Sequence, residues 1–201
     1  MFIYALLVLL VGPLILILWP TRVVHKKNRP MKGGAVICCN HYMLFDPVIV
    51  GMHIIGRRLR FAAKIELSRN PIVRFIVWST GSVFVDRGKP NIATLKKMIG
   101  VLKAGKVLLL FPEGHRNRNG EDGNLLALQN GAVMLSVKAG VPVVPAAFIR
   151  KPRAFRRNRL VYGEPLSFPE LEGEVLTKEK LAAATERLAE SMKGLLIKDN
   201  R

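Results

Sequence analysis

The sequence predicts an α/β fold in which helices flank a mainly parallel central sheet. From residue 35 onward, short apolar runs alternate with longer amphipathic segments, which is the pattern of strands joined by crossover helices. Runs such as residues 107–111 are apolar at every position, as expected for strands that helices cover on both faces. The 201-residue length fits one such domain, residues 35–201, with a short N-terminal appendage.

The first element is an uncharged apolar run over residues 2–19. Eighteen residues at 1.5 Å rise give about 27 Å of helix, close to the ~30 Å bilayer core. We therefore expect residues 1–20 to form a membrane anchor helix. A cleaved signal peptide is the alternative, but no Lys or Arg precedes the run and no small-residue cleavage site follows it. Gly12 and Pro13 leave open whether the helix spans the bilayer or lies in one leaflet.

Residues 21–34 are rich in Lys and Arg and are expected to be a basic juxtamembrane linker. Positive charge beside an apolar segment is typical of the cytoplasmic side. We therefore expect a cell-membrane protein whose main domain, residues 35–201, lies on the cytoplasmic side.

The remaining elements follow the alternating pattern. Strands are expected at residues 35–39, 59–63, 82–85, 107–111, 143–149 and 160–162. Helices are expected at residues 47–55, 71–79, 91–104, 126–139 and 177–197. Gly105 is a helix stop after the third of these helices, with Lys103 and Lys106 near the negative end of its dipole.

The charge balance implies a polyanionic neighbour. Lys and Arg number 32 against 14 acids, a formal charge of +18. Six basic residues and no acid lie in residues 150–159, which form either an ordinary exposed loop or a patch facing anionic membrane lipids. We prefer the lipid-facing patch. No nucleic-acid recognition motif is present, so a nucleic-acid partner is not expected.

The two cysteines, Cys38 and Cys39, are adjacent and lack ligand spacing, which excludes a disulfide scaffold and a structural zinc site. They fall on a predicted strand, where alternation points them to opposite faces. Burial in an apolar environment is therefore a better interpretation than an acyl-accepting nucleophile.

His41 and Asp46 follow the first strand of the domain, in the segment Asn40–Pro47. Taken singly, Asp46 before a proline is typical of a helix start, and His41 is compatible with an ordinary turn histidine. Together they suggest more, because a loop of this length can fold the carboxylate back onto the imidazole. A carboxylate on one ring nitrogen fixes the tautomer and leaves the other as a general base. The proton would then come from a substrate hydroxyl.

The pattern Asn-His-x-x-x-x-Asp resembles the hallmark of the glycerolipid acyltransferases. Residues 81–87, 111–116 and 141–145 resemble the second, third and fourth family blocks in order, and residues 63–67 also look familial. The resemblance covers about residues 35–150. One departure is His115, where the family usually has threonine.

The resemblance implies a role for each matching residue. His41 would deprotonate the acceptor hydroxyl and Asp46 would orient it. The glycerol-phosphate head would be held by Arg87, Glu113, Gly114 and Arg116, with help from Lys64. The fourth block, which is Val141, Pro142, Val143, Val144 and Pro145, is usually linked to the acyl side.

The implied reaction moves a fatty acyl group from an acyl thioester to the sn-2 hydroxyl of lysophosphatidate, giving phosphatidate. Its co-substrate would be acyl-CoA or acyl-carrier protein, and no cofactor or metal is expected. A thioester has a good leaving group, because a thiol has a pKa of about 8.5, so no covalent acyl-enzyme is required. Two alternatives remain open. The acceptor is another lysophospholipid or glycerol-3-phosphate, or the chain is a non-enzymatic module that binds anionic membranes.

Overall fold

The computed structural model describes residues 2–54, 56–86, 91–117 and 124–198. Within these ranges the chain forms six helices and seven strands. The helices are α1 (Phe2–Leu18), α2 (Asp46–Met52), α3 (Pro71–Thr80), α4 (Ile92–Lys103), α5 (Gly131–Ala139) and α6 (Lys178–Lys198). The strands are β1 (Thr21–Val24), β2 (Ala35–Cys39), β3 (Leu59–Lys64), β4 (Val83–Val85), β5 (Val107–Leu110), β6 (Val143–Phe148) and β7 (Asn158–Tyr162).

The described strands form one sheet in the order β1-β7-β6-β2-β5-β3-β4. Strands β2 to β6 all run parallel to one another. β7 returns antiparallel to β6, and β1 lies parallel to β7 at the edge of the sheet. The predicted α/β fold, a mainly parallel sheet flanked by helices, is confirmed.

The topology gathers several loops at the edge where β2 to β6 end, which we call the carboxyl edge. Because β7 and β1 run the opposite way, their first residues lie at this same edge. Asn158 of β7 pairs there with Thr21 of β1, and Leu160 pairs with Phe148 of β6. The loops after β2 and β6 and the end of α1 therefore meet at one edge, where parallel sheets commonly place their ligand sites.

Two apolar clusters cover the two faces of the sheet. One contains Ile15 of α1 and Ile49 of α2, and the other contains residues of α4, α5 and α6, including Leu102 and Leu188. Cys39 belongs to the first cluster and Cys38 to the second, so the two cysteines face opposite sides, as alternation predicts. Both are free and fully buried.

The apolar N-terminal run does form a helix, α1, with Pro13 inside it. Ile15 is buried in the core of the domain, and a methyl group of Met52 in α2 lies 2.5 Å from the position that a Cβ on Gly12 would take. No helix among the described residues is long and apolar enough to span a bilayer. The membrane anchor helix expected at residues 1–20 is therefore not found as a bilayer-spanning helix in this part of the chain.

Two other predicted segments differ from the structure. Residues 21–34, expected to be a linker, contain β1 and a short 3₁₀ helix at Lys26–Asn28, so they belong to the folded domain. The helix expected from residue 126 begins only at Gly131. The residues before it are held by other contacts, because the Gln129 N–H donates to the Pro112 carbonyl at 2.8 Å.

Candidate active site

The loop after β2 is fixed to the neighbouring strand by Asn40. This side chain is 1% exposed, and its amide nitrogen donates to the Phe148 carbonyl at 2.9 Å. Its oxygen accepts from the Phe148 N–H at 2.8 Å. The amide thus pairs with the end of β6 as a strand residue would, which sets where the loop begins at the carboxyl edge.

His41 and Asp46 are in direct contact, as predicted. The Nδ1 atom of His41 lies 2.8 Å from Oδ2 of Asp46. The same oxygen accepts from the N–H groups of Tyr42 at 2.7 Å and Met43 at 2.8 Å. Three donors on one oxygen suit a carboxylate, which only accepts. With Nδ1 donating to Asp46, Nε2 is the ring nitrogen that can take a proton from a substrate.

The imidazole is also held by an aromatic ring. The ring of His41 stacks on Phe111, with centroids 3.9 Å apart and planes 16° from parallel. Asp46 is fully buried, whereas the His41 side chain is 12% exposed and lines a cleft. The stacking on Phe111 and the hydrogen bond to Asp46 together fix the orientation of the His41 ring. Phe111 was not among the predicted site residues, although its place directly after a parallel strand put it at the same edge.

Glu113 holds the backbone of the loop after β2. Its side chain is 2% exposed, and its carboxylate accepts from the N–H of His41 at 2.9 Å and of Leu126 at 3.3 Å. The N–H of Asn117 donates to the His41 carbonyl at 2.7 Å. Segment 113–117 therefore hydrogen-bonds to both the N–H and the carbonyl of residue 41. Burial raises the pKa of the Glu113 carboxyl, and the two backbone donors oppose that rise. This geometry differs from the predicted contact with a substrate phosphate.

A cleft of about 670 Å³ opens beside the His41 ring. One wall is apolar and comes from α2, β3 and α3. Its side chains include Val48, Phe61, Val73, Ile76 and Val77. The rest of the lining includes His41 and the basic side chains Lys64, His115 and Arg116, a group that we call the cationic end. A cleft that is lined by apolar side chains and also carries basic groups suits an amphiphile with an anionic head.

The cationic end contains three of the predicted phosphate-binding residues, Lys64, Gly114 and Arg116. The ammonium group of Lys64 pairs with Glu66 at 2.9 Å, and both side chains are about half exposed. A basic side chain held at a cleft mouth in this way remains able to meet an anion. His115, the departure from the family pattern, is exposed and lines the same end.

Gly114 is required by the turn that presents these side chains. Its φ is +78°, a conformation that residues with a Cβ rarely adopt. A Cβ there would lie 2.5 Å from the amide nitrogen of Gln129. The glycine of the third block therefore has a structural reason beside any contact with substrate.

The fourth block does not form the apolar wall. Val143 and Val144 are buried on opposite faces of the sheet in β6, and the Pro142 carbonyl accepts from Val36 at 3.0 Å. Val141 packs against the cluster of α4, α5 and α6, and the Pro145 carbonyl accepts from Gly163. Val143, Val144 and Pro145 belong to β6, the strand that ends at Phe148, and residues 141–145 are not among the side chains that line the cleft. The acyl-side role expected for Val141–Pro145 remains a prediction. Arg87 lies outside the described residues.

Burial raises the pKa of the Cys38 and Cys39 thiols well above its ordinary value, so neither is a ready nucleophile. Among the residues that the structure describes, no cluster of three or more His, Cys, Asp or Glu side chains is placed to bind a metal ion.

The family model named Acyltransferase matches residues 21–149. The chain belongs to this acyltransferase family. The match includes β1, the His41–Asp46 pair, the Glu113 turn and β6, and thus all the elements that build the cleft. Membership makes the chain an enzyme of acyl transfer, consistent with the histidine and carboxylate arrangement above.

Several curated relatives of this acyltransferase carry one name, 1-acyl-sn-glycerol-3-phosphate acyltransferase. The protein from Bacillus subtilis is 32% identical over 180 residues, which is 87% of each chain. The Borreliella burgdorferi protein is 28% identical over 72% of this chain and 57% of its own. The human alpha form is 28% identical over 81% of this chain and 59% of its own.

The fold also matches a solved structure. The crystal structure of the 1-acyl-sn-glycerophosphate (LPA) acyltransferase PlsC from Thermotoga maritima aligns with a TM-score of 0.64 at 26% identity. The alignment covers 90% of this chain and 73% of the other.

Proposed function

We propose that this acyltransferase moves a fatty acyl group from an acyl thioester to the sn-2 hydroxyl of lysophosphatidate, giving phosphatidate. The observation that carries the proposal is the 2.8 Å contact between His41 and Asp46 beside a cleft with one apolar wall and one cationic end. The names of the relatives point to the same acceptor. The donor is acyl-CoA or acyl-carrier protein, with no further cofactor.

The chemistry needs one base and no covalent intermediate. Nε2 of His41 takes the proton of the acceptor hydroxyl, and the alkoxide oxygen forms its bond to the thioester carbonyl carbon. The carbon–sulfur bond then breaks, and His41 returns the proton to the departing thiolate. Asp46 stabilises the imidazolium that exists between these proton transfers. The buried cysteines support direct transfer rather than an acyl-enzyme.

Binding of the acceptor divides between the two ends of the cleft. Arg116 and Lys64 hold the phosphate, together with Arg87, which remains a sequence prediction. The apolar wall from β3 and α3 takes the acyl chain. Glu113 acts as a positioning residue through its bond to the His41 N–H, and Gly114 shapes the turn.

The acceptor and product are lipids, and we propose that the enzyme works at the cytoplasmic surface of the cell membrane. Support comes from α1 and α3, which are in contact and expose large apolar side chains. Leu9, Leu10 and Ile17 of α1 and Ile72 and Trp78 of α3 are each more than 60% exposed. These side chains suit the acyl boundary of one leaflet.

The test compares the full-length enzyme with His41→Gln in detergent micelles. Lysophosphatidate, lysophosphatidylcholine and glycerol-3-phosphate are offered as acceptors, each with acyl-CoA or acyl-carrier protein. We expect phosphatidate from lysophosphatidate, with kcat reduced by about 10²–10⁴ in the variant, the range of general base catalysis.

The matched control is His25→Asn. His25 is exposed after β1, at the opposite edge of the sheet, and its left-handed backbone (φ +51°) accommodates asparagine. We expect wild-type turnover from it. Preference for another acceptor would reassign the substrate, and equal rates for wild type and His41→Gln would remove His41 as the base. No turnover with any donor and acceptor would contradict the proposed reaction.

A further inference from the structure

The loop between β6 and β7, residues 149–157, is strongly basic. It contains five Lys or Arg residues and no acid. Arg150, Arg156 and Arg157 are exposed. We call this segment the cationic loop. All of its charged residues are basic, whereas α6 carries both basic and acidic side chains, such as Lys193 and Glu186, which pair with each other.

The cationic loop is held in one shape by Asn158. This residue is 8% exposed, and its side-chain oxygen accepts from the Arg153 N–H at 2.9 Å. Its amide nitrogen donates to the carbonyls of Arg153 at 3.1 Å and Arg156 at 2.9 Å. The Asn158 N–H donates to the Pro20 carbonyl at 2.8 Å. The arginines therefore stand on a preformed turn that is joined to the end of α1.

Phe155 is the unusual residue of this turn. Its φ is +57°, in the left-handed region, which a residue with a large side chain rarely adopts. Its side chain is nonetheless 71% exposed, so packing does not explain why a large aromatic stands there. Its N–H donates to the Leu18 carbonyl at 2.7 Å, which points the turn alongside α1. Backbone strain of this kind is typical of functional sites.

The cationic loop lies at the carboxyl edge, on the side of the cleft. It joins the end of β6, where the Phe148 carbonyl accepts from Asn40 at the start of the loop after β2. Directly after Leu18, the ring of Trp19 stacks on Phe45 at 5.0 Å, and Phe45 lines the cleft. The turn that carries Phe155, the end of α1 and the lining of the cleft are thus linked by direct contacts.

We propose that the cationic loop docks on anionic lipid headgroups, with the arginines in the headgroup layer and the ring of Phe155 inserted below it. Charge complementarity selects an anionic partner, since each basic residue near an anionic leaflet strengthens binding. The exposed aromatic and the neighbouring apolar side chains Leu14 and Ile17 of α1 favour lipid over nucleic acid. This inference extends the proposed membrane association and is independent of the reaction.

The first test measures binding of the full-length protein to phosphatidylcholine vesicles that contain 0, 20 or 40% phosphatidylglycerol. The variant is Arg156→Gln/Arg157→Gln. Its control, Lys96→Gln/Lys97→Gln, removes the same charge from exposed positions on α4, which packs on the other face of the sheet. At about fivefold per charge, we expect the loop variant to bind anionic vesicles roughly 25-fold more weakly. The control should change by less than threefold, and neither should matter without phosphatidylglycerol.

The second test uses Phe155→Asn. Asparagine tolerates the left-handed region, so the variant should keep or raise the thermal midpoint while vesicle binding falls roughly tenfold through lost apolar burial. A lowered midpoint would instead assign Phe155 to packing and overturn its part in docking.

Two further results would overturn the proposal. Equal losses for the α4 and loop variants would mean that the overall charge of +18 attracts vesicles without a dedicated loop. Unchanged vesicle binding, with weaker binding of a short RNA or DNA duplex by the loop variant, would assign the loop to nucleic acid. These assays measure vesicle binding and not turnover. Their results therefore do not depend on whether lysophosphatidate is the substrate.

Discussion

Replacing Asp46 with asparagine tests whether the carboxylate supports the imidazole through its charge. Asparagine has the same shape, and its oxygen can stay where Oδ2 accepts from His41, Tyr42 and Met43. The substitution therefore removes the negative charge and leaves the hydrogen-bond geometry largely in place. We expect kcat to fall steeply while KM for the acceptor changes little.

The size of the loss follows from the contact. The imidazolium that forms during proton transfer has its charge centre about 4 Å from that of the carboxylate, where an ion pair is worth about 4 kcal/mol at an effective dielectric constant of about 20. Losing that energy in the transition state lowers the rate about 10³-fold. The expected product rate is thus about a thousandth of the wild-type rate.

The asparagine also has a structural cost that must be measured separately. Oδ1 of Asp46 is buried and receives no hydrogen bond from the described residues. The amide nitrogen of asparagine takes its place and buries unsatisfied donors, which costs about 1–3 kcal/mol of unfolding free energy. A thermal unfolding curve of the variant gives its midpoint temperature. The acyl-transfer assay is then run well below that midpoint, where the variant is folded.

A double-mutant cycle with His41→Gln separates support of the base from a purely structural role. If Asp46 acts through His41, the double variant should be no slower than His41→Gln alone, because residues that act as a unit are not additive. Independent losses that multiply would refute this reasoning. So would an Asp46→Asn enzyme that keeps a third or more of the wild-type kcat.

The other predictions concern segment 113–117, which hydrogen-bonds to the backbone of residue 41. Glu113→Ala should lower kcat strongly with the acceptor KM within threefold, because it frees the His41 N–H; a raised KM with unchanged kcat would restore a phosphate contact. Arg116→Ala should raise KM for lysophosphatidate about tenfold or more through a lost charge-assisted contact, and an unchanged KM in steady-state kinetics would contradict that role. Gly114→Ala should lower the unfolding free energy by at least about 1 kcal/mol, from its φ and the approach of Gln129, in a urea titration. A midpoint equal to that of wild type would show that the turn accommodates a Cβ.

The central strands were predictable because each is a short run of apolar residues, which is visible in the sequence itself. β2 was predicted with its observed bounds, since all five of its side chains are buried and apolar. β1 was missed because it is an edge strand. Only Val23 of its four residues is buried, and the surrounding basic residues indicated a linker.

The His41–Asp46 contact was predictable because it forms within one short loop. Longer-range contacts left no such signal. The bond from the His41 N–H to Glu113 joins positions 72 residues apart. In the sequence, Glu113 belongs to the segment that resembles the third family block, so it was interpreted as a ligand of the substrate phosphate. The sequence linked only the fourth block to the acyl side, and three residues of that block, Val143, Val144 and Pro145, lie in β6. Only the folded arrangement of β3 and α3 brings Phe61, Val73 and Val77 to the cleft.

The most direct measurement of the central claim is the tautomer of the His41 ring, read by nitrogen-15 NMR and assigned by comparison with His41→Gln. The account predicts a neutral ring protonated at Nδ1, toward the carboxylate of Asp46, with a bare Nε2 on the side of the cleft. In Asp46→Asn this preference should weaken. A neutral wild-type ring that carries its proton on Nε2 would contradict the account, since it leaves no base to receive hydrogen from an alcohol.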